Sequence, residues 1–562
     1  MRILVLFIFC IVTSAQSQNI YPEDYFRSPL DIQLVLAGTF AELRSNHFHS
    51  GLDIKTQQRV GLKIYSAADG HVSRIKIAHY GYGKALYITH PNGYTTVYAH
   101  LQNFSPKIEA YIKKQQYEQE TFEIELFPNT EDLLVEKGEI VAYSGNSGSS
   151  GGPHLHYEIR DNNERPINPM LFGLDIHDTT KPIITDVYAY VIGEDAHINH
   201  SNQKQKLRLI TDKDGNYTVE NIEAYGQIGF AIASVDRQDL ATNKNGLYNI
   251  QTRYNGNLCF ELDYKRFSFN ETRHLNRLID FEHYKTKKQR LQKLFVEPNN
   301  PLSLYNNVDN DGYIFLEDNT SSVYKVRIKD FKENDSWLYI NLKGVKSDTI
   351  QQKEKFTTPY YIYANQTHHL NEGRVSVEFP KQTFYDDFYI DFKVKNDTLI
   401  LHKDIIPAKK YFKINFDISD YKPEDSEKLY IARLVGYNDY PLHSSTKRKN
   451  NILSTRTRSL GKYTLAKDTI SPTIKPVNFS KGKWLSKYRY LKLKINDEAS
   501  GISNYRATVN GKWILMEYDP KRKMLVYDFN DDIITETKNN LKLIVTDNVG
   551  NNSTFETTFY RK

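Results

Sequence analysis

Alternation of apolar and polar positions at period two runs through most of this chain, and it is sharpest at residues 154–159. There Leu155, Tyr157 and Ile159 are apolar while His154, His156 and Glu158 are polar, which predicts a half-buried strand entered from a glycine- and serine-rich loop at 147–153. Residues 72–78 repeat the pattern, with Ile75 and Ile77 set against Arg74 and Lys76. Residues 85–89 and 94–99 flank His90-Pro91-Asn92-Gly93, whose Asn-Gly pair predicts a hairpin. Further on, Val375, Val377 and Phe379, then Phe388, Ile390, Phe392 and Val394, alternate in the same way. Helical spacing is confined to two stretches. Ser105-Pro106 reads as a cap followed by a proline in the first turn, with Ile108, Tyr111 and Ile112 recurring up to about residue 119. A basic stretch at 283–294 reads as a solvated helix.

On the strand at 154–159 two imidazoles leave one face about 7 Å apart, within reach of one metal-bound water. A histidine pair of this kind is ordinarily exposed polar surface, so it gains meaning only from a second set of ligands. Residues 46–55 supply one: His49 and Asp53, four apart, return to one side of an extended segment. Catalytic zinc takes three ligands drawn from His, Asp, Glu and Cys and keeps a fourth position for water. His49 and Asp53 with either His154 or His156 complete such a set.

Three motifs in order, His49-x-x-x-Asp53, Tyr98-Ala99-His100-Leu101, and the run Ser144 to Ile159 containing Gly152-Pro153-His154-Leu155-His156, resemble those of the lysostaphin-type (LytM-like) zinc endopeptidases that cut peptidoglycan peptides. The resemblance spans roughly residues 40–172. It implies one Zn²⁺ per chain held by His49, Asp53 and His156, with His100 and His154 as catalytic histidines. It also implies peptidoglycan peptides as substrate. The helix and a following strand, about 105–134, are expected as an insertion beside the cleft and as a surface a protein partner could use. A non-catalytic regulator of another wall hydrolase is the competing reading, but relatives of that kind lack metal ligands, and this chain keeps them all. A surface adhesin would leave the placed histidines unexplained.

At 562 residues the chain exceeds one ordinary core. Its aromatic content of 13%, with 41 Tyr and 28 Phe, argues against disorder and for β-rich extracellular modules. The formal net charge of +6, spread over 74 basic and 68 acidic residues, suits an anionic wall polymer and is too diffuse to indicate nucleic acid. Met1-Arg2, the apolar run 3–12 and the small residues at 13–17 read as a signal peptide cleaved near Ser17, so export to the periplasm or beyond is expected. No later stretch has the length of a membrane span. Cys259 is then the sole cysteine of the mature chain and is expected to be a buried, inert thiol.

Asp178-Thr179-Thr180-Lys181-Pro182 is echoed by Asp468-Thr469-Ile470-Ser471-Pro472, which marks internal repeats resembling bacterial immunoglobulin-like modules. Within them, Val235-Asp236 with residues 243–246 is matched to the turn Asp547-Asn548-Val549-Gly550-Asn551. The expected organisation is a mostly β chain: signal 1–17, an antiparallel β metalloendopeptidase domain with a helical insertion over 18–175, a β-sandwich module with insertion over 178–348, a β module over 349–467, and an immunoglobulin-like sandwich over 468–562. A chain ending near residue 175 is expected to fold alone.

Overall fold

The computed structural model describes residues 21–562, so the expected export signal lies outside the described residues. The chain is mostly β. Its first sheet has nine strands, all paired antiparallel, and its main path runs Leu36–Gly38, Leu52–Lys55, His154–Arg160, Thr95–Ala99, Lys84–Thr89, Gly70–Ile77 and Ile124–Leu126. His154–Arg160 is therefore an interior strand. It is also more buried than alternation predicts. Leu155, Tyr157 and Ile159 enter the core, while on the opposite face Glu158 is 0% and His156 3% exposed, because other side chains, not water, cover that face.

The hairpin forms as its turn residues demand, with Thr89 paired to Thr95 and Gly93 at φ 86°. The helix spans Pro106–Gln119, with Ser105 at the N-cap and proline in the first turn; Ile108, Ile112 and Gln116 are buried. The second helix is shorter than its basic stretch implied. It covers Phe281–Lys287 and stops where Lys288 turns left-handed, and Gln292–Lys293 then pairs with the long strand Ile222–Val235. Cys259 is buried and free. Among the described residues no helix is long and apolar enough to cross a membrane.

Strands between Ile183 and Gly344 join one twelve-stranded network. Its core is continuous with that of the first sheet. Phe40 and Phe48 pack on Phe267 at ring separations of 5.2 and 5.4 Å, and the Gln238 side chain accepts from the Leu36 N–H at 2.7 Å and donates to Leu34 O at 3.2 Å. A boundary near residue 175 follows the chain but cuts this core. Two buried phenylalanines are worth about 1.5–3 kcal/mol each, a large share of the stability of a small domain. A chain ending at residue 175 is thus expected to lose its cooperative thermal transition, whereas one ending at residue 348 keeps it. Circular dichroism melting checks this, and equal transitions in the two chains would contradict the shared core.

Residues 361–467 form two five-stranded sheets and a two-stranded one around their own core, which includes Val377, Phe379, Ile414 and Phe416. The last segment packs two four-stranded sheets around Leu493, Tyr527 and Leu543. This last unit folds back on the first. Lys84 pairs with Glu517 at 3.0 Å, Tyr117 Oη donates to Asp531 at 2.6 Å, and Lys113 pairs with Asp531. The helix expected to offer a surface to a protein partner thus meets the chain's own C-terminal unit.

The repeats are real in backbone but one match between them needs correction. The counterpart of Asp547-Asn548-Val549-Gly550-Asn551 is the turn Asp330-Phe331-Lys332-Glu333-Asn334, not residues 235–246. In each turn the asparagine N–H and side-chain amide both donate to the aspartate, and the same amide donates to the carbonyl of the opening aspartate, Asp178 or Asp468. Asp236 instead corresponds to Asp497: each follows the strand that pairs antiparallel with the opening strand of its unit.

Candidate metal centre

Register builds the site. His156 lies opposite Asp53 on one side and Ala99 on the other, so Asp53 shares its face, and His100, just past the strand end at φ 60°, turns back to bring its ring 5.9 Å from that of His156. His49 arrives from the segment just before Leu52–Lys55. Asp53 Oδ1 then lies 3.0 Å from His49 Nε2, 2.9 Å from His156 Nδ1 and 3.3 Å from His154 Nε2, and the His49 and His156 nitrogens are 3.1 Å apart. All five expected site residues are brought together. His79 and His90, to which no role was assigned, are elsewhere: His90 bonds Asp69 O and Thr96, and His79 faces Glu123.

Outer partners settle which nitrogens point inward. His49 Nδ1 donates to Thr39 O at 2.7 Å, because a carbonyl can only accept, which leaves the Nε2 lone pair facing Asp53. His156 Nε2 donates to Glu158 Oε1 at 2.8 Å, leaving Nδ1 inward. Glu158 is held in turn by Arg160 Nε at 2.6 Å, Ser50 Oγ at 2.6 Å and Tyr82 Oη. A carboxylate behind a ligating histidine is the usual way to fix its tautomer and raise its basicity. Arg44 takes Asp53 Oδ2 at 3.0 Å, so Oδ1 is the oxygen left for the centre.

The residues fit zinc. Three acceptor atoms 2.9–3.1 Å apart approximate the edges, roughly 3.3 Å, of a tetrahedron with metal bonds of about 2.0–2.1 Å. Electrostatics point the same way. Burial opposes ionisation of Asp53, but in the metal-free form with protonated rings the charge of His49 and hydrogen bonds from the three histidines outweigh it and hold the carboxyl well below its usual range. Burial likewise opposes charge on His156, yet hydrogen bonds with Asp53 and Glu158 push it up to about 9. The cluster wants a positive charge at its centre, and a proton can be replaced there by a metal.

The two remaining histidines are oriented by the glycine-rich loop. His100 Nδ1 donates to Ser147 O at 2.9 Å and His154 Nδ1 to Gly152 O at 2.9 Å, so both Nε2 atoms face the centre as acceptors. The loop can approach this closely because Gly148, at φ 69°, sits where a Cβ would fall 2.3 Å from Gly83 N. His100 itself has φ 60°, a strained conformation of the kind that collects at functional sites. Burial and the neighbouring His156 and His154 push His100 down to about 3, so it is neutral.

Sequence reading did not single out Thr39, Ser50, Tyr82, Glu158 or Arg160. The last two were accessible, since 154, 156, 158 and 160 share one strand face. Thr39 and Tyr82 come from distant loops and carry no local signal.

Comparison with known proteins finds two family matches within the chain. Residues 47–117 and 129–169 match Peptidase family M23, and residues 359–468 match the Zu5-like domain. The chain therefore carries an M23 peptidase domain followed, further on, by a Zu5-like domain. It is 34% identical over 139 residues to DD-carboxypeptidase/endopeptidase Mpg of Neisseria meningitidis serogroup B, covering 25% of this chain and 26% of that protein. It is 29% identical over 157 residues to peptidoglycan DD-endopeptidase ShyB of Vibrio cholerae, covering 28% and 30%. The chain thus spans under a third of the length of these relatives. A zinc-containing peptidase from Vibrio cholerae is similar in structure, with 26% identity, 28% of this chain and 41% of that chain covered, and a TM-score of 0.20.

Proposed function

We propose that the protein is an exported, zinc-dependent endopeptidase that hydrolyses peptide bonds of peptidoglycan. The observation that carries this reading is the pair of outward-donating tautomers, His49 to Thr39 and His156 to Glu158, which turn two ring lone pairs and Asp53 Oδ1 onto one point. The names of the matched relatives support peptidoglycan as the substrate class, and the N-terminal sequence supports export. A zinc bound by His49, Asp53 and His156 supplies Lewis acidity and a water of lowered pKa.

The chain's own residues do the rest. His154 Nε2, 3.3 Å from Asp53 Oδ1 and held by Gly152 O, accepts the proton of the attacking water and returns it to the leaving amine. His100, neutral and with its N–H turned away to Ser147, accepts a hydrogen bond from that water and so aligns it; in this form it has no proton to offer an oxyanion. Arg44 draws off one oxygen of Asp53 and keeps the carboxylate oriented.

Digestion of purified, cross-linked muropeptides followed by mass spectrometry tests the reading. The expected products gain one water at an amide and leave the glycan intact. Products cut in the glycan, or none from a folded, metal-loaded protein, would overturn it, and the second result would favour the regulator reading.

A further inference from the structure

Two largely buried acidic clusters recur at equivalent places in the two repeat units, and neither includes a residue of the histidine centre. In the first, Asp178, Asp236 and Asp330 each present an oxygen within 4.8 Å of the others; in the second, Asp468, Asp497 and Asp547 do the same. The members are structural counterparts: the opening aspartate, the aspartate after the strand that pairs with the opening strand, and the turn aspartate before the final strand. Even the supporting bonds repeat. Asp178 and Asp468 each accept from the backbone N–H two residues on at 3.0 Å, and Ser336 and Ser553 each donate to the carbonyl of the proline that closes the opening motif, Pro182 or Pro472.

An acidic cluster alone is not a site, but two further features point to a ligand here. Asp236 is 4% exposed, and its Oδ1 has no hydrogen-bond partner although its neighbours are carboxylates. The three aspartates of the first cluster also line a cavity of about 20 Å³, room for one small sphere. In the second cluster the Ser500 hydroxyl, 2% exposed, is likewise unpartnered, while its N–H donates to Asp468. None of the six aspartates forms an ion pair with a Lys or Arg among the described residues. Burial and the mutual proximity of Asp330 and Asp178 push Asp236 up to about 8, the expected cost of collecting like charges without a counter-ion.

We propose that these two clusters are divalent-cation sites of calcium type, each clamping the opening segment of a repeat unit to its late turn. All-oxygen donors from carboxylates suit a hard cation, and their irregular, multi-residue arrangement suits calcium over magnesium, which demands a regular octahedron. The clamps stiffen two joints of the chain. Asp178 follows the peptidase domain directly, and Asp468 joins the Zu5-like domain to the C-terminal sandwich that packs on the peptidase domain. This inference is independent of the proposed enzymatic function.

Equilibrium dialysis of the full chain against radioactive calcium, after passage through calcium-free buffer, tests it. Two calcium ions per chain are expected, falling to one in Asp236→Asn, one in Asp497→Asn and none in the double variant. Thermal melting provides the control for folding. The Asn variants should melt no lower than the natural chain in calcium-free buffer, since charge repulsion is relieved, but should lose the upward shift that calcium gives the natural chain. Absence of saturable binding at millimolar calcium, or binding that survives the double substitution, would overturn the proposal. An equal shift with magnesium would overturn the assignment to calcium.

Discussion

His156→Ala is expected to abolish zinc binding and hydrolysis together, while His154→Ala keeps zinc and loses roughly 10²–10⁴ in kcat. The two rings stand on one strand face and both approach Asp53 Oδ1, yet their second nitrogens differ. His156 is backed by a buried carboxylate, Glu158, and points Nδ1 at the His49 nitrogen 3.1 Å away. His154 is backed by a loop carbonyl and a serine hydroxyl and stands further from Asp53. Removing His156 leaves two ligands, too few for a catalytic site; removing His154 leaves three. Folding should survive both changes because Leu155, Tyr157 and Ile159, which face the core, are untouched. Zinc stoichiometry measured beside kcat decides the matter. Zinc lost from His154→Ala and kept by His156→Ala would reverse the roles.

Glu158→Ala is expected to be the most destabilising single change near the centre. Glu158 is fully buried and joins His156, Arg160, Ser50 and Tyr82 in one network. Burial disfavours its charge, but the charges of Arg160 and His156 and their hydrogen bonds outweigh that and hold its carboxyl well below the usual range. Removing one partner of such a buried pair leaves an uncompensated charge and costs about 3–5 kcal/mol. Zinc affinity should fall as well, because removal of a carboxylate behind a ligating histidine weakens metal binding about 10–100-fold. The depressed pKa also gives a sign with pH. Glu158 contributes stability that is present above the ordinary carboxylate pKa and is lost as pH falls toward its folded value, so the gap between natural chain and variant should shrink in acid. Urea unfolding at neutral and acid pH checks both parts. A variant as stable as the natural chain at neutral pH would contradict the network.

The proposed ligand set was legible because its chemistry is local. His49 and Asp53 lie four apart, His154 and His156 two apart, and the Asn92-Gly93 turn places His100 at the end of a hairpin strand. What brings the two halves together is register, His156 opposite Asp53, and register depends on pairing partners distant in the chain. The choice between His154 and His156 was open from spacing alone, since both face the same way; it is the backing of Glu158 against that of Gly152 that distinguishes them. Domain limits were harder to read for a different reason. Phe40 and Phe48 look like core residues of their own domain in any local pattern, and nothing in sequence says that Phe267 completes their packing. Val-Asp near residue 235 mimics the late turn at 547, whereas the bonds to the Asp178 and Asp468 carbonyls identify Asp330 and Asn334 as the true counterparts.

The most direct test of the central claim is elemental analysis of the purified full chain and of Asp53→Ala, coupled to hydrolysis before and after chelation. The account predicts close to one zinc per chain in the natural protein, near none in the variant, and cleavage that disappears with the metal and returns when zinc is restored. Full zinc occupancy in Asp53→Ala, or cleavage of muropeptides that persists once the zinc is gone, would contradict it.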